Sequence, residues 1–183
     1  LVQYGSALIQ RRQTFAEELG EIVHRIHSQL SGGQEEMELK YEPNVTKDAF
    51  AQMLFSNRER DMRLKTTATG PHRDDISFVV NGVDIRKFGS QGQQRTAALS
   101  LKLSEIELVK RLIGDTPVLL LDDVLSELDS GRQNYLLNSI ENIQTLITCT
   151  GLDEFVNHRF SINRIYKVTD GSVTVENKQE ADR

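Results

Sequence analysis

Asp122 and Asp123 are adjacent carboxylates that close a short apolar run, Pro117-Val118-Leu119-Leu120-Leu121. A run of this length, bounded by a turn and by charge, predicts a buried strand of a parallel sheet. Ligands of such sheets bind beyond the carboxyl ends of the strands. A carboxylate at that point can hold Mg²⁺, which takes oxygen ligands and keeps several of its waters. Its neighbour, pointing the other way, can accept a proton from an attacking water. Asp122 is the candidate metal ligand and Asp123 the candidate base. An isolated pair of this kind is equally a strand end whose acids are solvated or cap the next helix.

Two further segments carry chemistry by position. Ser90, Gln91, Gly92 and Gln93 open a helix that runs to about Ile113. A glycine lets the backbone approach a phosphate closely, and a Ser hydroxyl with the free N–H groups of a helix N-terminus makes an anion site. An ordinary helix start with Ser90 as N-cap has the same composition. Immediately after the carboxylate pair comes Leu125-Ser126-Glu127-Leu128-Asp129. This turn either reaches a neighbouring active site or simply starts a helix, with Ser126 or Asp129 as N-cap.

The elements that would position these residues form an α/β pattern. Residues 1–30 predict one long helix with an apolar stripe of Leu8, Phe15, Leu19, Ile22, Val23, Ile26 and Leu30. Ser31-Gly32-Gly33 stops it, and Glu38-Leu39-Lys40-Tyr41 alternates like a strand. Residues 47–65 predict a second helix with Phe50, Met53, Leu54 and Met62 inward. Asn81-Gly82 joins the strands 76–80 and 83–86 in a hairpin, and Asp170-Gly171 joins 165–168 and 172–175 in another. The 94–113 helix is apolar around much of its girth, as a buried helix would be. A helix near 130–141 and a strand at 145–148 complete the series, and the charged last residues are expected to fray.

Bulk composition sets limits. The chain has 183 residues, 38% hydrophobic and 27% charged, an ordinary globular balance. No apolar stretch approaches the roughly 20 residues of a membrane span. The lone Cys149 excludes an internal disulfide and accords with a cytoplasmic location. With a net charge of −5, any nucleic-acid contact must come from a local basic patch or an assembled groove. The absence of an initiating Met, and a start inside a helix, suggest the C-terminal piece of a longer protein.

The order and spacing of the three chemical segments resemble the ABC-type ATPase heads of DNA-repair proteins. Ser90-Gln91-Gly92-Gln93 is similar to their signature motif, Leu119-Leu120-Leu121-Asp122-Asp123 to Walker B, and Ser126-Glu127-Leu128-Asp129 to the D-loop. With Thr69-Gly70-Pro71-His72-Arg73-Asp74-Asp75 and Phe88-Gly89 through Arg95-Thr96 added, the likeness narrows to the RecF family of bacterial recombination mediators. It implies a helical arm over 1–65 and the C-terminal part of an ABC-type ATPase head over 66–183.

In such heads ATP lies between two subunits. The resemblance therefore implies that Ser90, Gln91, Gly92 and Gln93 face the nucleotide of a partner, with Ser126 and Asp129 near the same interface. Asp122 would hold Mg²⁺ and Asp123 would stand where most of these proteins have a Glu base, a shorter reach that suits a weak ATPase. It further implies an ATP-dependent homodimer that binds single-stranded or gapped DNA at ss/ds junctions. RecF-like proteins help RecO and RecR load RecA, in support of the SOS response. No G-x-x-x-x-G-K-[ST] occurs in these residues, so the P-loop is expected upstream and this chain alone is not expected to hydrolyse ATP. The switch His of many such heads is missing near 147–150, where Thr148 or Thr150 offers a hydroxyl to the γ-phosphate instead.

Leu30-Ser31-Gly32-Gly33-Gln34 spells the common ABC signature, but a strand rather than a helix follows, and a Gly-Gly helix stop explains it. His24 and His27 stand three apart with Glu21 nearby; a solvated flank fits them better than a metal site. His72-Arg73-Asp74-Asp75 is either a turn network or a face toward nucleotide or DNA. Arg58, Arg60, Arg63 and Lys65 form a basic segment, a solvated helix face or a contact for DNA or RecR. Two competing readings belong to other classes. One is a cohesin-like or transporter-type head with a mechanical task, which calls for a long coiled-coil arm or a membrane partner. The other is a nucleotide-independent module whose residues 1–65 recruit RecR.

Overall fold

The computed structural model describes residues 1–150 and 162–176, so the expected fraying at 177–183 lies outside the described residues. They fall into two compact units, Leu1–Pro117 and Val118–Arg183. The boundary expected between 65 and 66 lies inside the first unit.

The first unit is built on α1 (Val2–Leu30), whose buried residues are Ile9, Ala16, Leu19, Ile22, Val23, Ile26, His27 and Leu30. Leu8 and Phe15, expected on this stripe, are 41% and 44% exposed. Ile9 and Ala16 take their place, one position further round the helix. Gly32 and Gly33, at φ 63° and 78°, end the helix, and the Gly33 N–H donates back to the Ser28 carbonyl at 2.7 Å. The chain then enters β1 (Met37–Glu42), so the letter-perfect signature at 30–34 is a helix stop.

The region expected as one helix over 47–65 divides at Asn57 into α2 (Phe50–Ser56) and α3 (Arg58–Leu64). Only Phe50 is buried there, packed with Ile9 and Val45. Met53 and Met62 are 44% and 75% exposed rather than inward, because two seven-residue helices present too short a stripe to cover both. Next come β2 (Asp75–Val80) and β3 (Val83–Asp84), joined through Asn81-Gly82 with both residues at positive φ. β1, β2 and β3 form an antiparallel sheet, with Met37 opposite Val80 and Glu42 opposite Asp75. The third strand is shorter than expected. Asp84 accepts the Arg86 N–H and caps the short α4 (Ile85–Phe88), which draws residues 85 and 86 out of the strand.

The last helix of this unit, α5 (Gln91–Ile113), packs on α1. Arg25 pairs with Glu107, His27 meets Ser100, and Glu35, just past α1, meets Gln93. Rising positions on one partner match falling positions on the other, so the two run antiparallel. The contact face of α5 is less oily than its composition implies. Thr96, Ser100 and Ser104 are buried at four-residue steps, and their hydroxyls donate to the carbonyls of Gly92, Thr96 and Ser100 at 2.7, 2.7 and 2.6 Å. Each satisfies its own polar atom within the helix, which leaves small side chains toward α1. Leu112 and Ile113, at the other end, are 68% and 72% exposed.

The second unit holds β4 (Leu119–Asp122), α6 (Ser130–Ser139) and β5 (Thr145–Thr148), and the hairpin of β6 (Ile165–Thr169) and β7 (Ser172–Glu176). β4 and β5 are parallel, with Asp122 opposite Thr148. Leu121 is buried, but Leu120 and Leu146 are 72% and 56% exposed. The strand expected to be buried on both faces is buried on one, because among the described residues its sheet has only two strands. Asp170 and Gly171, both at positive φ, make the expected hairpin turn.

Candidate active site

In the second unit the parallel pairing brings Asp122, Asp123, Ser126 and Thr148 together. The Thr148 hydroxyl donates to Asp122 Oδ1 and accepts the Asp123 N–H at 3.1 Å; the same N–H lies 3.2 Å from the Thr148 carbonyl. Asp123 stands at φ 50°, in the left-handed region, where Asp is tolerated and most side chains are strained. That turn lifts its carboxylate off the strand. The Ser126 hydroxyl lies 2.9 Å from the Asp123 carbonyl oxygen and 3.0 Å from Oδ1. Both carboxylates are exposed, and among the described residues neither second oxygen has a protein partner.

A half-engaged, exposed carboxylate at the carboxyl end of a parallel strand is the hard oxygen donor that Mg²⁺ takes, so Asp122 fits that ion. Thr148, expected to offer its hydroxyl to a phosphate, holds the two acids instead. Thr150 is exposed. Ser126 orients Asp123, while Asp129 caps α6 by accepting the Arg132 N–H at 3.0 Å. That backbone hydrogen bond, with the Arg132 guanidinium beside it, holds the Asp129 carboxyl below its ordinary range.

In the first unit Ser90 is the N-cap of α5. Its Oγ accepts the Gln93 N–H at 3.2 Å, and Gln93 Oε1 accepts the Ser90 N–H at 3.0 Å, a reciprocal capping box. The Ser90 hydroxyl proton stays available for another acceptor. The two flanking glycines differ. A Cβ on Gly89 would lie 2.6 Å from the Ile85 carbonyl oxygen, so the fold itself demands glycine there. A Cβ on Gly92 would meet nothing nearer than Ser90 Oγ at 3.9 Å.

Among the described residues no contact requires glycine at 92, in the first turn of α5. A glycine there leaves room for a ligand to approach the backbone. If a nucleotide meets this turn, as the resemblance implies, Gly92→Ala is expected to raise the thermal midpoint slightly and to weaken nucleotide-dependent assembly at the same time. Thermal unfolding and sedimentation on the same sample check the two signs.

The 72–75 cluster is a turn network. Asp74, with its side chain 2% exposed, takes Arg12 Nη1 at 3.0 Å, the Asn44 N–H at 3.0 Å and the Tyr41 hydroxyl. His72 Nε2 and Arg73 Nε lie 2.9 and 3.2 Å from the Thr67 carbonyl, and Asp75 pairs with Arg86. Burial, then the Asp74 carboxylate, push the Tyr41 phenol up to about 12 from an ordinary 10.0. The folded state keeps this proton longer than the unfolded chain. The resulting stability is complete below pH 10 and is lost as pH rises toward about 12. An absorbance titration should find one tyrosine ionising near 12, and Asp74→Asn should return it toward the ordinary value.

His27 departs from expectation. It is fully buried on the α1 stripe, with Nδ1 3.0 Å from Ser100 Oγ and Nε2 3.1 Å from Glu35 Oε2. His24 is exposed, with Nδ1 3.2 Å from the Met37 carbonyl. Among the described residues no group of three or more His, Cys, Asp and Glu side chains could hold a metal. Arg58, Arg60, Arg63 and Lys65 are all exposed. No helix of the described residues is long and apolar enough to cross a membrane.

No family model matches the chain. It is 59% identical over 177 residues to the DNA replication and repair protein RecF of Lachnospira eligens, covering 97% of this chain and 49% of the relative. Against RecF of Clostridium acetobutylicum the identity is 44% over 178 residues, 94% of this chain and 49% of the relative. A solved structure described as the recombination mediator protein RecF with ATP in the RecFOR pathway is 33% identical. It superposes with a TM-score of 0.81, over 97% of this chain and 48% of the other. An ATP-dimerising SMC ATPase shares the fold alone, at 13% identity and a TM-score of 0.56. The fold is that of an ABC-type ATPase head. The chain is similar to RecF along nearly its whole length, and it spans about half the length of the curated relatives it matches.

Proposed function

We propose that this chain, RecF-like from end to end, supplies the signature, Walker B and D-loop of a weak ABC-type ATPase in DNA replication and recombinational repair. Two copies close as an ATP-dependent homodimer on single-stranded or gapped DNA at ss/ds junctions, and act with RecO and RecR in loading RecA. The observation that carries the reading is the first turn of α5: a capped helix start with an available Ser90 hydroxyl and a glycine with open space where a Cβ would stand.

In this reading Ser90 donates its hydroxyl proton to a phosphate oxygen of the partner's ATP. Gln91 and Gly92 present backbone N–H groups, and Gln93 holds the turn. The free oxygen of Asp122 would hold Mg²⁺, which neutralises phosphate charge when bound. Asp123, steadied by Ser126, takes the proton of the attacking water. Ser126 and Asp129 shape the turn beside the interface. The exposed cations of α3 are a DNA or RecR contact.

Sedimentation of a protein joining this chain to a P-loop lobe, with and without Mg-ATP and gapped duplex, tests the reading. Dimers that need ATP and hold gapped DNA in preference to blunt duplex support it. A monomer under every condition overturns it. A mechanical head would dimerise with ATP but show no preference for gaps. A recruiting module would bind RecR through residues 1–65 with no nucleotide.

A further inference from the structure

Gln93 is held from two directions. Its Oε1 accepts the Ser90 N–H, and its Nε2 donates to Glu35 Oε1 at 3.0 Å. The other oxygen of Glu35 faces His27 Nε2 at 3.1 Å. On the far side of the ring, Ser100 Oγ lies 3.0 Å from His27 Nδ1, while its hydroxyl donates to the Thr96 carbonyl at 2.7 Å. The ring is fully buried, so each nitrogen needs a polar partner, and Glu35 supplies the one at Nε2. Glu35 in turn has one oxygen left, and it is given to Gln93.

The chain of contacts runs from the interior of the α1–α5 contact out to the signature turn. Glu35 also lies two residues after Gly33 of the Gly32-Gly33 stop, which fixes where the backbone leaves α1. Its Oε1 is therefore placed by two independent anchors, the helix stop and His27. A free glutamine side chain samples many rotamers, and each costs capping geometry at Ser90.

We propose that Glu35, anchored by His27, is a positioning residue for the signature turn. It fixes the Gln93 side chain, and through it the Ser90 hydroxyl, for the nucleotide of the partner subunit. This rests on the function proposed above, since it assumes that the turn meets ATP in trans.

The test measures two constants in a protein joining this chain to a P-loop lobe: nucleotide affinity of the single subunit, and ATP-dependent self-association. Glu35→Asp keeps a charge for His27 but withdraws it from Gln93, and should weaken association several-fold. Glu35→Ala should weaken it about tenfold or more, while Glu35→Gln, which keeps an oxygen for the Gln93 amide, should stay near the parent. Single-subunit nucleotide affinity should be unchanged in all three. The inference fails if Glu35→Asp and Glu35→Ala associate as the parent does while Ser90→Arg does not. It also fails if the loss merely follows the fall in thermal midpoint, with Glu35→Gln no better than Glu35→Ala. If Ser90→Arg associates normally, the signature reading falls and this inference falls with it. Should Glu35→Ala not fold, Glu35→Asp and Glu35→Gln decide alone.

Discussion

Asp123→Asn is expected to stop ATP turnover in the assembled protein while lengthening the life of its ATP-bound dimer. Asn keeps the Oδ1 that accepts the Ser126 hydroxyl and tolerates the left-handed φ of 50° at this position. The N–H that holds the turn to Thr148 is also kept. The turn should therefore survive, and thermal midpoints should differ little. If Asp123 is the base proposed above, what is lost is the ability to take a proton from water. Positioned general bases contribute about 10²- to 10⁴-fold, and the loss should fall in that range. Single-turnover phosphate release, measured beside the dimer lifetime in sedimentation, reads both effects. Hydrolysis at the parent rate would remove Asp123 from its role and leave it as a turn residue. Ser126→Ala separates orientation from proton transfer. It removes one hydrogen bond to the carboxylate and should slow turnover by a smaller factor.

Much of this was legible in the sequence because the segments are local. The apolar run before Asp122, Ser90 as a possible N-cap, and both hairpin turns depend on residues within a few positions of one another. The stop at Gly32-Gly33 was legible for the same reason, and it correctly outweighed the spelling of 30–34. What the sequence hid are relations set by packing. Leu8 and Ile9 are both plausible stripe residues, and only the neighbours of α1 decide between them. Met62 reads as inward until the helix breaks at Asn57. Thr148 reaches both acids through the register of two parallel strands 26 positions apart. No local pattern states that register.

His27 is the instructive failure. A histidine beside an apolar stripe is usually solvated, and the partners Ser100 and Glu35 lie 73 and 8 positions away. The one available signal was the four-residue repeat of hydroxyls at Thr96, Ser100 and Ser104. The large apolar residues of α5 predict a buried helix, yet that repeat announces a close contact with small side chains. It also shows where a polar group on the opposing helix could be received. For the 72–75 cluster the sequence leaves a turn network and a ligand-facing surface equally open, and packing decides for the network: Asp74 is consumed by Arg12, Asn44 and Tyr41.

Ser90 offers the cleanest separation of folding from assembly, because two substitutions with opposite charge should both abolish the ATP-dependent dimer. Ser90→Asp keeps an excellent N-cap, since a carboxylate accepts the Gln93 N–H and suits the positive end of α5. The isolated chain should be as stable as the parent or slightly more so. Across the interface, that carboxylate would face phosphate. Two like charges about 4 Å apart at an effective dielectric near 20 repel by about 4 kcal/mol, or about a thousandfold in the dimer constant. Ser90→Arg carries the sign that attracts phosphate, so charge alone predicts tighter association. It forfeits the cap, at about 1 kcal/mol, and sets a long side chain where the turn must meet a partner closely. Loss of dimer in both variants, with single-subunit nucleotide affinity intact, makes contact geometry the cause. Tighter association in Ser90→Arg would mean that Ser90 lies at the rim of an electrostatic funnel. The close ligand proposed for Gly92 would then have to be sought elsewhere.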